Sequence, residues 1–351
     1  NLYATNFYNS PIEMMKQLDM KDLRLKTQQI EQYLPQVTVD KRLFLNLELV
    51  PAFALTRVIK SGELLTMGYC ELNQRDSFWT TFVHLILFKE AEIKMINESC
   101  EGQLKTGKIP TTLLPLIERQ FDIDITAYFV LRIIRFIRYY KDEDDVDQLA
   151  KKWYPYAKKA IEYLASLRDE NNVPYARDYW ADWKDVPGMN DRLYGPHFVL
   201  ITKAAVKEFK WLSSFLKIEF NNDSGDIQIN AEPLWNGRFY QDIMRDGTSD
   251  ERFHQDQMIC ELWNVCNGDN EDQKNRYELM LAQAEELENQ FGLPETLPFY
   301  PAEKFGYPIG EYHNGGIWPW LSFADAAARI AAGHRKSGEN LLLTVAKTDI
   351  I

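Results

Sequence analysis

Glu311-Tyr-His-Asn-Gly-Gly-Ile-Trp-Pro-Trp320 is the stretch on which the reading of this chain turns. Two Trp, a Tyr, a His and an Asn fall close together, with Gly315 and Gly316 freeing the backbone between them. The rings offer flat apolar faces for a sugar or another ligand, and His313 and Asn314 offer hydrogen bonds at its edge. The two glycines let the main chain turn sharply or approach a ligand closely. The stretch runs straight into an alanine-rich helical pattern over 321–332. An aromatic loop at a helix start reads as a pocket wall. The plain alternative is a Trp-rich corner of the core, because Trp is mostly buried anyway.

Outward from that loop, helical periodicity dominates. Val146, Leu149, Ala150, Trp153, Ala157, Ala160, Ile161, Leu164 and Leu167 share one 3.6-residue stripe. Pro155 predicts a kink or restart within it. Ahead of it, Ala127, Val130, Leu131, Ile134 and Ile137 form one helical face, and Arg132, Arg135 and Arg138 line another. Further helical patterns cover about 41–60, 76–97, 196–216, 252–266, 272–290 and 317–335. The 272–290 pattern stops at Gly292-Leu-Pro294, a carboxyl-terminal signal. Residues 220–232 mix Asn, Asp and Gly with alternating Ile, which predicts a loop or short hairpin. No fixed-period repeat and no Gly/Ser linker divides the chain. The expectation is one mostly α domain over 1–351, with long loops that carry function.

Three more junctions join a polar, aromatic loop to a helix. Asn73-Gln-Arg-Asp-Ser-Phe-Trp79 opens an apolar helix; capping accounts for Asp76 or Ser77 but not for Arg75. Tyr179-Trp-Ala-Asp-Trp-Lys-Asp185 sets Asp182 between Trp180 and Trp183. A carboxyl desolvated between indoles has a raised pKa, which is the environment of a general acid; the alternative is an exposed loop aspartate. Arg252-Phe-His-Gln-Asp-Gln257 is the third, with Asp256 as its cap.

The totals narrow the function. Net charge is −12 over 351 residues, which argues against nucleic acid and anionic membrane surfaces as partners. No run reaches the length of a membrane span. Cys70, Cys100, Cys260 and Cys266 are scattered, so neither a disulfide framework nor a zinc site is expected, and the five His show no metal-ligand spacing. Phosphate loops, G-x-S-x-G and H-E-x-x-H are absent, so no cofactor is expected. Asn1 is not Met and no basic-plus-apolar leader is visible. The compartment expected is cytoplasmic, or secreted or lumenal where a leader has been removed. Carboxylates, aromatics and Arg without a cofactor suit carbohydrate chemistry, in which sugars stack on Trp and a pair of carboxyl groups cleaves the glycosidic bond.

Arg75-Asp-Ser-Phe-Trp79, Trp180-Ala-Asp-Trp183 and Tyr312-His-Asn-Gly-Gly-Ile-Trp-Pro-Trp320 come in the order and approximate spacing of the (α/α)6-barrel glycoside hydrolases. The chain most resembles the group holding glycogen-debranching amylo-α-1,6-glucosidases, processing α-glucosidase I, and glucosylglycerate or mannosylglycerate hydrolases. The likeness covers about 64–332. It implies an all-α (α/α)6 toroid, complete or short of its last helices, and an inverting, exo-acting α-glycoside hydrolase. It implies Asp182 as general acid and Arg75, Asp76, His313, Asn314, Trp318 and Trp320 at the sugar subsite. Trp79, Trp180 and Trp183 would be ring platforms, and Gly315 would belong to the wall. The family's general base follows this loop's helix, in a Glu-Tyr-type segment that 338–351 does not match. Glu311 is the nearest substitute by position, and Asp256 the next. A sugar binder without turnover, and an epimerase or isomerase using His313 or His254, stand as alternatives.

Overall fold

The computed structural model describes residues 74–80, 85, 89–111, 123–176, 182–184, 186–189, 191–219, 227–268 and 270–348. Trp180 and the 41–60 helical pattern lie outside them. Within them the chain is mainly helical: α1 (Gln74–Thr80), α2 (Lys89–Glu101), α3 (Ile123–Tyr139), α4 (Val146–Ser166), α5 (Pro196–Phe215), α6 (Arg276–Leu287), α7 (Ala302–Phe305), α8 (Pro319–Ala331) and α9 (Arg335–Thr348). Among these residues no helix is long and apolar enough to cross a membrane.

α3 is the axis of the packing. All of it is buried except Arg135, Arg138 and Tyr139, so its polar face, with Asp124 and Arg132, is enclosed along with its apolar one and needs partners there. It packs on α4 and α5, which themselves touch. The α4 stripe meets this core as its spacing predicts: Val146, Ala150, Trp153, Ala157, Ala160, Ile161 and Leu164 are buried. Each large apolar side chain among them contributes about 1.5–3 kcal/mol. The arginines of α3 are held by carboxylates. Arg132 forks onto Glu92 of α2 at 2.9 and 2.7 Å, and Arg138 reaches Glu208 of α5 at 2.8 Å.

Four sequence expectations change. α4 runs through Pro155 without restarting; Pro155 and Lys151 are both exposed, so water can satisfy the carbonyl that the missing N–H leaves. Residues 252–266 form not an α-helix but a 3-10 helix, Gln255–Trp263, preceded by a strand. It ends at Asn264 in the left-handed region, where Asn is tolerated, and Lys207 Nζ donates to the Trp263 and Asn264 carbonyls. The 272–290 pattern divides into a 3-10 turn, Glu271–Gln273, and α6. α9 is additional. It packs closely on α8, where a Cβ at Gly338 would lie 2.5 Å from the Ala326 carbonyl oxygen.

Five short strands among the described residues position the site. β1 (Arg192–Tyr194), β2 (Asp242–Met244) and β3 (Ser249–Asp250) form one antiparallel sheet, with Arg192 facing Met244 and Asp242 facing Asp250. β4 (Phe253–His254) pairs with β5 (Thr296–Leu297), setting His254 opposite Thr296. These pairings carry residues far apart in sequence to one place at the start of α5 and of the 3-10 helix.

Candidate active site

The three aromatic motifs meet. The Trp79 ring, from α1, lies 5.3 Å from Trp320 at the start of α8. Trp320 lies 5.0 Å from Trp183, and Trp183 lies 5.4 Å from Trp318. His313 sits 4.7 Å from Trp183 and stacks on Trp318 at 5.2 Å. Trp183 is 7% exposed, while Trp79, Trp318 and Trp320 are half-buried. The outcome lies between the two readings of the loop, with indoles packed on one another yet retaining part of their faces. Gly315 is required where it stands, with φ +89 and Phe299 2.2 Å from where a Cβ would be.

Behind this platform is a cluster of buried charges. The Trp183 indole N–H donates to Asp256 Oδ2 at 2.9 Å, and Lys184 Nζ pairs with the same oxygen at 2.8 Å. Arg192 forks onto Asp182 at 3.0 and 2.9 Å and lies 3.7 Å from Asp242. His254 Nε2 lies 3.1 Å from Asp242. Glu295, the residue before β5, has His254 and His313 each 3.9 Å from one of its oxygens. Its backbone is fixed by bonds to Gly316 and Gln255. Asp182, Lys184, Asp242, His254, Asp256 and Glu295 are all fully buried. Among the described residues no three His, Cys, Asp or Glu converge as metal ligands; the charges here are compensated by lysine and arginine.

The carboxyls divide by neighbour. Burial pushes the Asp182 carboxyl up, but Arg192 and then Lys184 outweigh it and hold it well below the ordinary range. The raised pKa expected from indole neighbours is therefore corrected: the desolvation is real, and the guanidinium fork reverses its effect. Asp242 is likewise desolvated, yet His254 and Arg192 draw it down to about 2. Asp256 is lowered against burial chiefly by Lys184. Glu295 goes the other way. Burial raises it well above the carboxylate range; Lys184 opposes this, and Asp256 and Asp182 add to it. Among the described residues neither of its oxygens is in hydrogen-bonding geometry with a partner, although the neighbouring Thr296 hydroxyl tempers the shift.

Several predicted residues have settings of their own within the protein. Arg75 forks onto Asp124 of α3 at 2.7 and 2.9 Å, and Asp76 stands in the first turn of α1. The Asn314 side chain clasps its own loop. It accepts from the Tyr300 N–H and donates to the Tyr300 and Tyr307 carbonyls, so its expected place at a ligand's edge is taken by backbone. Glu311 is exposed at the outer turn. Sequence reasoning misses Lys184, Arg192, Asp242 and Glu295. Of these only Glu295 carries a signal, a lone charge in the otherwise uncharged run Leu293-Pro-Glu-Thr-Leu-Pro-Phe299.

No family model and no curated protein sequence matches the chain. Solved structures do match it. The GH63 mannosylglycerate hydrolase from Thermus thermophilus, in complex with glucose, aligns with a TM-score of 0.67 at 14% identity, over 84% of this chain and 89% of that one. The same enzyme with Tris and D-glycerate gives 0.65 at 14%, over 83% and 88%. The rhamnosidase from Klebsiella oxytoca with rhamnose bound gives 0.62 at 15%, over 90% of this chain and 57% of that one. Both are (α/α)6-barrel glycoside hydrolases, and the chain has their fold. Among the described residues the helices do not complete a closed ring.

Proposed function

We propose that this protein is a glycoside hydrolase, exo-acting and inverting on α-glycosides, with its chemistry at the buried carboxyl cluster behind the Trp183–Trp318–Trp320 platform. One observation carries the reading: adjacent buried carboxyls are driven in opposite directions. Burial pushes Glu295 well above the carboxylate range, while Lys184 draws Asp256 below it against burial. Pairs of titratable groups pushed apart in this way mark acid and base. Glu295 gives its proton to the glycosidic oxygen as the C1–O bond breaks. Asp256 takes a proton from the water whose oxygen forms the new bond to C1 from the opposite face. Among the described residues Asp256 Oδ1 has no hydrogen-bonding partner, which leaves it open to that water. Asp182, fixed by Arg192, keeps the cluster's charge in place. The cluster is buried, so a substrate must displace part of the aromatic platform, and that opening belongs to the catalytic cycle. The sugar-bound states of the structural neighbours support a monosaccharide-sized subsite here.

The motif resemblance gives the acid role to Asp182 instead, which requires the Arg192 fork to release it. Leaving groups separate the two. Losing a general acid costs roughly 10²–10⁴-fold on alkyl glycosides and far less on 4-nitrophenyl glycosides, whose leaving group needs no proton. We expect that selective loss from Glu295→Gln. The same pattern from Asp182→Asn, with Glu295→Gln unaffected, moves the role to Asp182. Sugar binding without turnover in the intact chain defeats the hydrolase reading. Interconversion of free sugars with no aglycone released assigns the chemistry to His254 and His313, which flank Glu295.

A further inference from the structure

We propose that His254 and Thr296 are positioning residues for Glu295. Asp242 fixes the His254 ring, His254 turns the Thr296 hydroxyl, and the hydroxyl oxygen is presented to Glu295 as an acceptor, so that this carboxyl carries a proton between turnovers. The role rests on the reading of Glu295 as the general acid. β4–β5 pairing sets His254 opposite Thr296, and opposite residues of an antiparallel pair share a face. His254 Nδ1 lies 2.9 Å from Thr296 Oγ1. Across the ring, Nε2 lies 3.1 Å from Asp242 Oδ2. Asp242, His254, Glu295 and Thr296 are all fully buried, so bulk water does not compete for these contacts. Backbone bonds brace the group. The Gln255 N–H donates to the Glu295 carbonyl at 2.8 Å, and the Glu295 N–H donates to the Gly316 carbonyl at 3.1 Å. The Gln257 side chain donates to the His254 carbonyl at 3.0 Å.

Proton counting decides which way the hydroxyl points. His254 and Arg192 draw Asp242 down to about 2, so across the neutral range that carboxylate only accepts. The ring proton therefore sits on Nε2, which faces it, and Nδ1 is left as an acceptor. A hydroxyl has one proton to donate. Turned toward Glu295, the Thr296 hydroxyl is a donor and tempers the rise of that carboxyl. With its proton on Nδ1 it offers Glu295 lone pairs instead. Lone pairs repel a carboxylate and accept from a carboxylic acid, so this direction favours the proton-bearing form.

The consequence falls on each turnover. The Glu295 O–H bond breaks as the leaving group's oxygen gains that proton, and Glu295 then takes a proton back from water. The acceptor at Thr296 favours that recovery. His313, from the loop ahead of α8, also faces Glu295, as do Lys184, Asp182 and Asp256. Tyr300 flanks the imidazole, with ring centres 6.4 Å apart. Those groups act through their charge or bulk, whereas Thr296 is uncharged and acts through the direction of one bond.

Infrared spectra of the intact chain across pH test this. They read the carbonyl stretch of a protonated carboxyl, assigned to Glu295 by its loss in Glu295→Gln. We expect Thr296→Val to lower the midpoint of that band by about 0.5–1 pH unit, the worth of one hydrogen bond. Thr296→Ser should stay near the wild type. The alkaline limb of turnover on alkyl glycosides should move with the band. In Asp242→Asn an amide N–H facing Nε2 shifts the ring proton to Nδ1, and Thr296 then donates to Glu295. In that background Thr296→Val should raise the midpoint. The reversal separates a directed hydroxyl from the apolarity of valine, which acts alike in both backgrounds. A midpoint unmoved or raised by Thr296→Val in the otherwise native chain overturns the proposal. So does the same sign in both backgrounds, or a wild type without the band at neutral pH. Where Asp242→Asn does not fold, the contrast between the Val and Ser variants decides alone. The band does not depend on turnover. The expected shifts without a selective loss from Glu295→Gln on alkyl glycosides would sink the acid reading and leave the hydroxyl's direction standing. That selective loss with an unmoved midpoint sinks only the role of His254 and Thr296.

Discussion

Asp182 and Glu295 share one buried cluster, and both are fully removed from water. They differ in company. Asp182 receives both arms of Arg192 and the backbone N–H of Lys184. Glu295 has two imidazoles at 3.9 Å and, among the described residues, no hydrogen bond in good geometry. The same desolvation is overruled in one corner and prevails in the other. Burial therefore sets the stakes of a carboxyl, and the nearest cation decides its charge. The Arg192 fork draws one carboxyl down, and burial pushes the other up.

The comparison breaks most violently at Arg192. Arg192→Met leaves Asp182 and Asp242 buried without their guanidinium. Removing one partner of a buried pair costs about 3–5 kcal/mol. Denaturant titration should show a loss of that size, and a loss under about 1 kcal/mol would mean that the fork does not hold this corner.

Acid and base titration sharpen the contrast. Asp242 has a folded pKa of about 2 against an ordinary 3.8. Its stabilisation is present above 3.8 and disappears as pH falls through about 2, because the unfolded chain binds the proton first. Asp182 acts with the same sign. Glu295 has the opposite sign, since the native state keeps a proton that the unfolded chain releases near 4.5. Stability from this corner is complete below 4.5 and declines as pH rises toward the raised folded value. One proton changes the slope by at most about 1.4 kcal/mol per pH unit. Glu295→Gln should remove the alkaline-side decline and leave the acid-side loss intact, as melting temperatures across the pH range would show. An unchanged alkaline limb would mean that Glu295 is already ionised.

The helices were legible because they obey one period. The α4 stripe is buried as its 3.6 spacing requires, and α5 ends within a residue of its predicted stop. The aromatic half of the site was legible because Trp79, Trp183, Trp318 and Trp320 sit in dense local motifs. The ionic half was not. Arg192 reaches Asp242 through β1–β2 pairing, and His254 reaches Glu295 through β4–β5 pairing. Strands of two or three residues leave no period to read. Asp182 stands out by its Trp neighbours, yet its charge is set by Arg192, ten positions away and outside the motif. Asn314 reads as a ligand contact because nothing local predicts that Tyr300 and Tyr307 present backbone to it.

A smaller effect joins the two halves. Trp183→Phe keeps the aromatic packing against Trp318 and Trp320 but deletes the indole N–H that Asp256 accepts at 2.9 Å. Lys184 still covers that oxygen, so the expected cost is the net worth of a hydrogen bond to a charged group, about 1.5–3 kcal/mol at most. If Asp256 is the base, activity should fall with a shifted pH profile while affinity for sugar changes little. A stability loss with an unmoved pH profile would confine the contact to structure.

The smallest effect separates two glutamates of one loop region. Glu311 stands out in the sequence by its place beside Tyr312 and His313, and it is exposed. Its backbone takes part in the turn, since its carbonyl accepts the Asn314 N–H at 2.9 Å, and substitution leaves that bond intact. Glu311→Gln then changes only a surface charge, worth within about 0.5 kcal/mol of stability. Turnover should stay within about twofold of wild type, less than about 0.5 kcal/mol in barrier. Glu295 makes the reverse case, for it lies further from the aromatic loop in sequence but faces His313 in space. Measured side by side on an alkyl glycoside, the two Gln variants should differ by about two orders of magnitude or more. A roughly hundredfold loss from Glu311→Gln, with Glu295→Gln near wild type, would return the second carboxyl to the loop and make the buried corner a structural one.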